Sequence, residues 1–191
     1  MRTNPVCMTL ALIFLAAING CKKDDEVTAP PPIVNEEEVI TTMIFAFTGQ
    51  GGADDKELRF TDADGDGGGV PVFDLDTLQA ASDYSASIIL LNETADPVDT
   101  ISNEVLEEGT DHQFFFQATG SDITFVYADA DANGAPIGLA TNATTGTPSV
   151  GTVKVTLRHQ PDKSGSGVSG GDITNAGGET DIEVTFPLVI E

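Results

Sequence analysis

Asp62, Asp64 and Asp66 alternate along Thr61-Asp-Ala-Asp-Gly-Asp-Gly67, the D-x-D-x-D-G opening of a calcium loop. Alternate carboxylates in a tight, glycine-containing turn can converge on one hard cation, and Ca2+ prefers oxygen ligands at about 2.3–2.6 Å. The EF-hand form is not completed. Its twelfth position, which takes a bidentate Glu, is Phe73, and no helical pattern flanks the loop. A calcium loop between strands stays open, beside the alternative of an Asx-rich turn. A second copy, Asp129-Ala-Asp131-Ala-Asn133-Gly134, has Ala140 at the twelfth position. Its more economical reading is a hairpin loop in which Asn133-Gly134 supplies positive φ, with Ca2+ on Asp129, Asp131 and Asn133 as the other.

His112 and His159 are the two histidines. His112 opens an aromatic run, Phe114-Phe115-Phe116, beside Glu107, Glu108 and Asp111, and His159 closes a strand pattern before Gln160-Pro161. Two imidazoles and a carboxylate would make a transition-metal site if the strands meet, although the spacing does not require it. Half-buried strand-end histidines are the commoner arrangement. Catalytic patterns are missing: there is no H-E-x-x-H or P-loop sequence, and Gly167-Val-Ser-Gly-Gly171, which has the letters of G-x-S-x-G, lacks the strand–helix setting of a nucleophile elbow. Asp74 and Asp76 share a strand face, as chance allows in so acidic a chain. Gly165 to Gly171 is glycine-rich but lacks the strand–helix setting of a nucleotide loop. The reading is therefore non-enzymatic.

The remaining chemistry lies at Cys21. A basic start at Arg2 and an apolar run from Val6 to Ile18 precede it, with Asn19-Gly20 before the cysteine. That run of thirteen residues is too short for a bilayer core of about 30 Å, which takes about 20 helical residues. The pattern is that of a secretory signal. Ile18-Asn19-Gly20-Cys21 resembles the lipobox of bacterial lipoproteins, which implies that residues 1–20 are removed and that Cys21 is acylated. Cys7 falls in the removed part, so no thiol would remain for a disulfide or a metal. Lys22, Lys23, Asp24, Asp25 and Glu26 resemble the acidic export signal of Bacteroidota lipoproteins, which implies the outer face of the outer membrane. Residues 21–38, with Ala-Pro-Pro-Pro and Glu-Glu-Glu, favour extended, self-repelling chain and read as a tether. Asp76-Thr77-Leu78 and Asp99-Thr100-Ile101 are similar to Bacteroidota O-glycosylation acceptors, at a density chance also supplies.

A formal charge of −23 repels phosphate backbones and argues against nucleic acid as a partner. It also argues against a polybasic membrane patch, leaving lipid on Cys21 as the membrane contact.

Residues 39–191 must position all of this, and they read as strands. Thr41, Met43, Phe45 and Phe47 alternate with Thr42, Ile44 and Ala46, the period of two that marks a strand. Tyr84, Ala86, Ile88 and Leu90 repeat the pattern, and so do Ile182, Val184, Phe186, Leu188 and Ile190. Shorter strands are expected at 57–61, 70–75, 113–117, 123–127, 137–142 and 152–159. One short helix, capped by Asp99 or Thr100 and stopped by Gly109, would carry Ile101, Val105 and Leu106. Short strands separated by Gly/Asp/Pro turns predict an all-β fold: an antiparallel β-sandwich, immunoglobulin/fibronectin type III-like, with about nine strands. Leu78 and Tyr84 are spaced like the tyrosine corner of those domains, the alternative being a plain core tyrosine. Residues 161–179, rich in Gly and Ser, are expected as a surface loop, either functional or mobile.

The lipobox, Asn35-Glu-Glu-Glu-Val-Ile-Thr-Thr42, Thr61 to Gly67, Asp111-His-Gln-Phe-Phe-Phe116 and Gly167 to Gly178 together resemble a family of small Bacteroidota lipoproteins of unknown function. Some members carry the label "type 1 periplasmic-binding". The resemblance implies a lipid-anchored envelope protein on the cell surface, with a binding or structural accessory role. A solute- or carbohydrate-binding protein and a Ca2+-binding surface protein are the alternatives, and a small molecule, a glycan or another protein the implied partner.

Overall fold

The computed structural model describes residues 39–64 and 68–191, so Cys21, Lys22–Glu26 and Asp66 lie outside the described residues. Nine strands form in chain order: β1 Thr42–Gly49, β2 Lys56–Thr61, β3 Val72–Leu75, β4 Asp83–Leu91, β5 His112–Thr119, β6 Ile123–Tyr127, β7 Ala140–Thr145, β8 Ser149–His159 and β9 Glu179–Ile190. One helix, α1 (Ile101–Glu107), lies between β4 and β5, and two 3-10 turns interrupt the β8–β9 connection. No described helix is long and apolar enough to cross a membrane.

The strands make two antiparallel sheets, β3-β2-β1-β4-β7-β6 and β5-β8-β9. The order β1-β4-β7-β6 over β5-β8-β9 is that of strands A-B-E-D over C-F-G in a constant-type immunoglobulin sandwich. The hairpin β2–β3 is an addition between A and B that extends the first sheet beyond β1.

The alternation in the sequence becomes the core. Met43, Phe45 and Phe47 of β1, Tyr84, Ala86, Ile88 and Leu90 of β4, and Val184, Phe186, Leu188 and Ile190 of β9 are all buried. Phe45 sits where the sheets meet. Its ring centroid lies 4.4 Å from Phe47, 5.5 Å from Phe116, 5.6 Å from Phe125 and 6.5 Å from Phe186. Offset and tilted ring pairs at these separations add to the stabilisation from burial itself.

Helix α1 buries Ile101 and Val105, whereas Leu106 is exposed. Thr100 is the N-cap residue but makes no side-chain capping bond. Gly109 serves close approach: a Cβ there would lie 2.6 Å from Ile137 Cδ1.

Two expectations change in detail. The Tyr84 hydroxyl does bond back to the backbone beside buried Leu78, accepting from the Gln79 N–H at 2.9 Å. The corner, however, stands at the entry to the B-equivalent strand β4, whereas immunoglobulin-like domains carry it at F. The segment before β4 also bonds to the end of β9, through Leu78 N–H to Val189 O and Glu191 N–H to Leu78 O. The corner therefore sits where the β3–β4 connection, whose two strands belong to the larger sheet, reaches across to the edge of the smaller one. The 160–178 connection, in turn, is packed. Val168 and Ala176 are buried against Phe115, on the outer face of the three-stranded sheet, and Gln113 Nε2 donates to Val168 O at 2.8 Å.

Replacing Tyr84 by Phe keeps the ring and removes the acceptor for Gln79. Urea unfolding should show a loss of about 1 kcal/mol. An unchanged midpoint would mean that water satisfies Gln79 equally well.

Candidate functional site

The two histidines meet. His112 opens β5 and His159 ends β8, and the register pairs them directly across the ladder. Phe114↔Leu157 and Phe116↔Val155 follow in the same register, so the imidazoles share the face that carries the core. Their rings stack with centroids 4.8 Å apart and planes 24° from parallel.

A third strand completes the group. The β8–β9 ladder pairs Leu157 with Ile182 but Arg158 with Thr180, so Asp181 is the extra residue of a β-bulge. A bulge re-aims a side chain that strict alternation would send elsewhere. Here it places Asp181 Oδ2 3.6 Å from His112 Nε2 and Asp181 Oδ1 3.8 Å from His159 Nδ1. Burial is graded: the side chains of His112, His159 and Asp181 are 4%, 13% and 20% exposed. The cluster therefore opens to solvent on its Asp181 side. His112 Nδ1 is 3.2 Å from the Glu108 carbonyl oxygen. A carbonyl only accepts, so Nδ1 carries the hydrogen, and Nε2 of the neutral ring presents its lone pair to the cluster. Among the described residues, this is the group of three metal-capable side chains that comes together. Glu107, Glu108 and Asp111 contribute no carboxylate to it; Asp181 does.

The described carboxylates of the acidic loops make bonds within the fold. Asp129 Oδ1 accepts from Gly138 N–H and its Oδ2 from Ala140 N–H, at 2.7 and 2.9 Å. Asp131 Oδ1 accepts from Asn133 and Ala135 N–H. Its Oδ2 meets Lys163 Nζ at 2.9 Å, and that ammonium also donates to Gly109 O and Pro136 O. Lys163, 32 positions further along the chain, thus supplies the positive charge that faces Asp131. The left-handed residue of this loop is Gly134, at φ 82°. In the first loop, Asp64 Oδ2 accepts from Gly69 N–H at 3.0 Å and Asp62 N–H donates to Thr41 O.

A groove of about 230 Å³ opens between β5 and β6, the strands that end the two sheets on one side. Phe116, Phe125 and Tyr127 give it an aromatic lining, with Ala118, Ile123, Thr124 and Thr141 beside them and Gly170-Gly171 of the packed loop as a wall. The Tyr127 hydroxyl donates to Phe114 O at 2.6 Å and accepts from Gln113 Nε2 at 3.2 Å. Burial and the neighbouring Asp129 charge push this phenol up, against the opposing Gln113 bond, so it stays protonated at neutral pH.

No protein-family model, curated protein or solved structure matches this chain.

Burial pushes the Asp131 carboxyl up, but Lys163 and the Ala135 and Asn133 N–H groups outweigh it and hold the group below the usual Asp range. The stability such a group contributes is complete above its unfolded value near 3.9 and is lost as pH falls through the lower folded value. Lys163→Met should lower stability by about 1.5–3 kcal/mol at pH 7, because the Asp131 side chain is only 1% exposed. Denaturant unfolding across pH should show the gap between variant and wild type narrowing below about pH 4. A gap independent of pH would remove the carboxylate from this account.

Proposed function

We propose that this chain is a non-enzymatic, lipid-anchored protein of the bacterial cell envelope that displays an immunoglobulin-type sandwich as a binding or structural accessory module. The observation that carries this is Ile18-Asn19-Gly20-Cys21, followed by Lys22-Lys-Asp-Asp-Glu26. Lipid on Cys21 anchors the protein, the acidic run directs it outward, and residues 21–38 hold the domain away from the bilayer. The resemblance to small Bacteroidota lipoproteins supports the same placement.

The domain is suited to such a post. Its core is built from two packed sheets, so it calls for no disulfide once Cys7 is removed with the signal. Acidic side chains also fasten its loops. Asp122, for example, accepts from both the N–H and the hydroxyl of Thr147, and those bonds hold its carboxyl below the usual range.

The groove over Phe116, Phe125 and Tyr127 favours a second reading, a solute- or carbohydrate-binding lipoprotein. An aromatic lining suits the apolar face of a sugar ring.

Cys21→Ala should abolish palmitate labelling and release the protein from membranes; labelling that persists would refute the anchor. Neutral replacements across Lys22–Glu26 should leave the protein lipidated but hidden from external protease, and unchanged protease sensitivity would remove the export-signal role. For the groove, Ala118→Trp fills the space from an exposed position on the face of β5 that carries Phe116. On a glycan array it should weaken any retention shown by the wild type at least tenfold. Retention that is unaltered would place glycan binding elsewhere.

A further inference from the structure

We propose that His112 Nε2, His159 Nδ1 and Asp181 form a binding site for a divalent transition metal of the Zn2+ class. Because Nδ1 donates to Glu108 O, Nε2 of the neutral ring faces a carboxylate oxygen 3.6 Å away. Two electron-rich atoms in that relation repel unless a cation, either a proton or a metal ion, lies between them. The separation exceeds an ordinary hydrogen bond, and it is close to the spacing of about 3.4 Å between ligands of a tetrahedral ion with bonds near 2.0–2.1 Å.

The surroundings favour a metal in three further ways. The Glu108 carbonyl orients the ring from behind, the support that metal-ligating imidazoles usually have. Each ligand comes from a different strand, β5, β8 and β9, so an ion would join all three at one end of the sheet. Third, the ligating atoms lie within 4.8 Å of one another, and the widest pair must close by about 1.4 Å to fit a zinc-like ion. His159 at a strand end and Asp181 on a bulge are placed to allow that shift.

Nitrogen ligands select against Ca2+ and Mg2+, which take oxygen, and suit Zn2+, Cu2+ or Ni2+. Three protein ligands leave a fourth position, toward the solvent side of Asp181, for water or a donor atom of a solute. The site is separate from the acidic loops and from the aromatic groove, so its success or failure is independent of both.

The test uses protein comprising residues 21–191, freed of metal by a chelator and titrated with ZnCl2, with CaCl2 as control. One equivalent of Zn2+ should bind, and at about a hundredfold excess over the dissociation constant Tm should rise by roughly 5–10 °C. His159→Gln and Asp181→Asn should each weaken binding at least tenfold. In the wild type, imidazole nitrogen NMR should show His112 Nε2 and His159 Nδ1 moving with Zn2+ while His112 Nδ1 stays protonated. No binding at micromolar Zn2+ would overturn the proposal and leave a proton-bridged His–Asp cluster. Full binding by both variants, or an equal response to Ca2+, would overturn it in favour of adventitious attraction to the acidic surface.

Discussion

The domain depends on two apolar sheet faces closing on each other around Phe45. That ring belongs to β1, and it touches aromatic rings contributed by β5, β6 and β9. Burial of such faces is the main favourable term available to a chain of this kind. Once β1, β4, β7 and β6 are closed over β5, β8 and β9, both ends of the sandwich follow. At one end the β3–β4 connection bridges to β9 through Leu78, beside Tyr84. At the other, His112 and His159 are set opposite each other.

The end that carries the histidines is fixed in place by polar bonds. Lys163 draws together the α1–β5 turn through Gly109, the β6–β7 loop through Asp131 and Pro136, and its own β8–β9 connection. Its side chain is 9% exposed and that of Asp131 only 1%. An ion pair so enclosed is costly to break once made, because either partner alone would be a buried charge. Val168 and Ala176 add an apolar contact on Phe115, so the long connection is anchored on the outer face as well.

Much of this architecture was legible in the residues. Strands β1, β4 and β9 alternate cleanly because one face of each meets the core and the other meets solvent. Helix α1 could be read from Thr100 and the spacing of Ile101 and Val105, though Leu106 points outward. The parts that were hidden have long-range causes. Asp181 precedes a core residue, Ile182, and by alternation belongs on the opposite face; only the bulge turns it toward the histidines. The acidic spacing of Asp129 and Asp131 carries no sign of Lys163, which reaches them through the tertiary fold. The Gly/Ser composition of 161–178 conceals two anchoring side chains, Val168 and Ala176, which lie at two short 3-10 turns with no sustained period to mark them.

The added hairpin bears on how copies of this molecule tolerate one another. It moves the edge of the larger sheet from the eight-residue β1 to the four-residue β3, where Val72 and Asp74 are exposed. An exposed edge is a template for pairing with another chain, and a short edge carrying a carboxylate offers it little ladder. With a formal charge of −23, copies held side by side at high density also repel. The outer hairpin thus leaves this side of the larger sheet little edge for another copy to pair with.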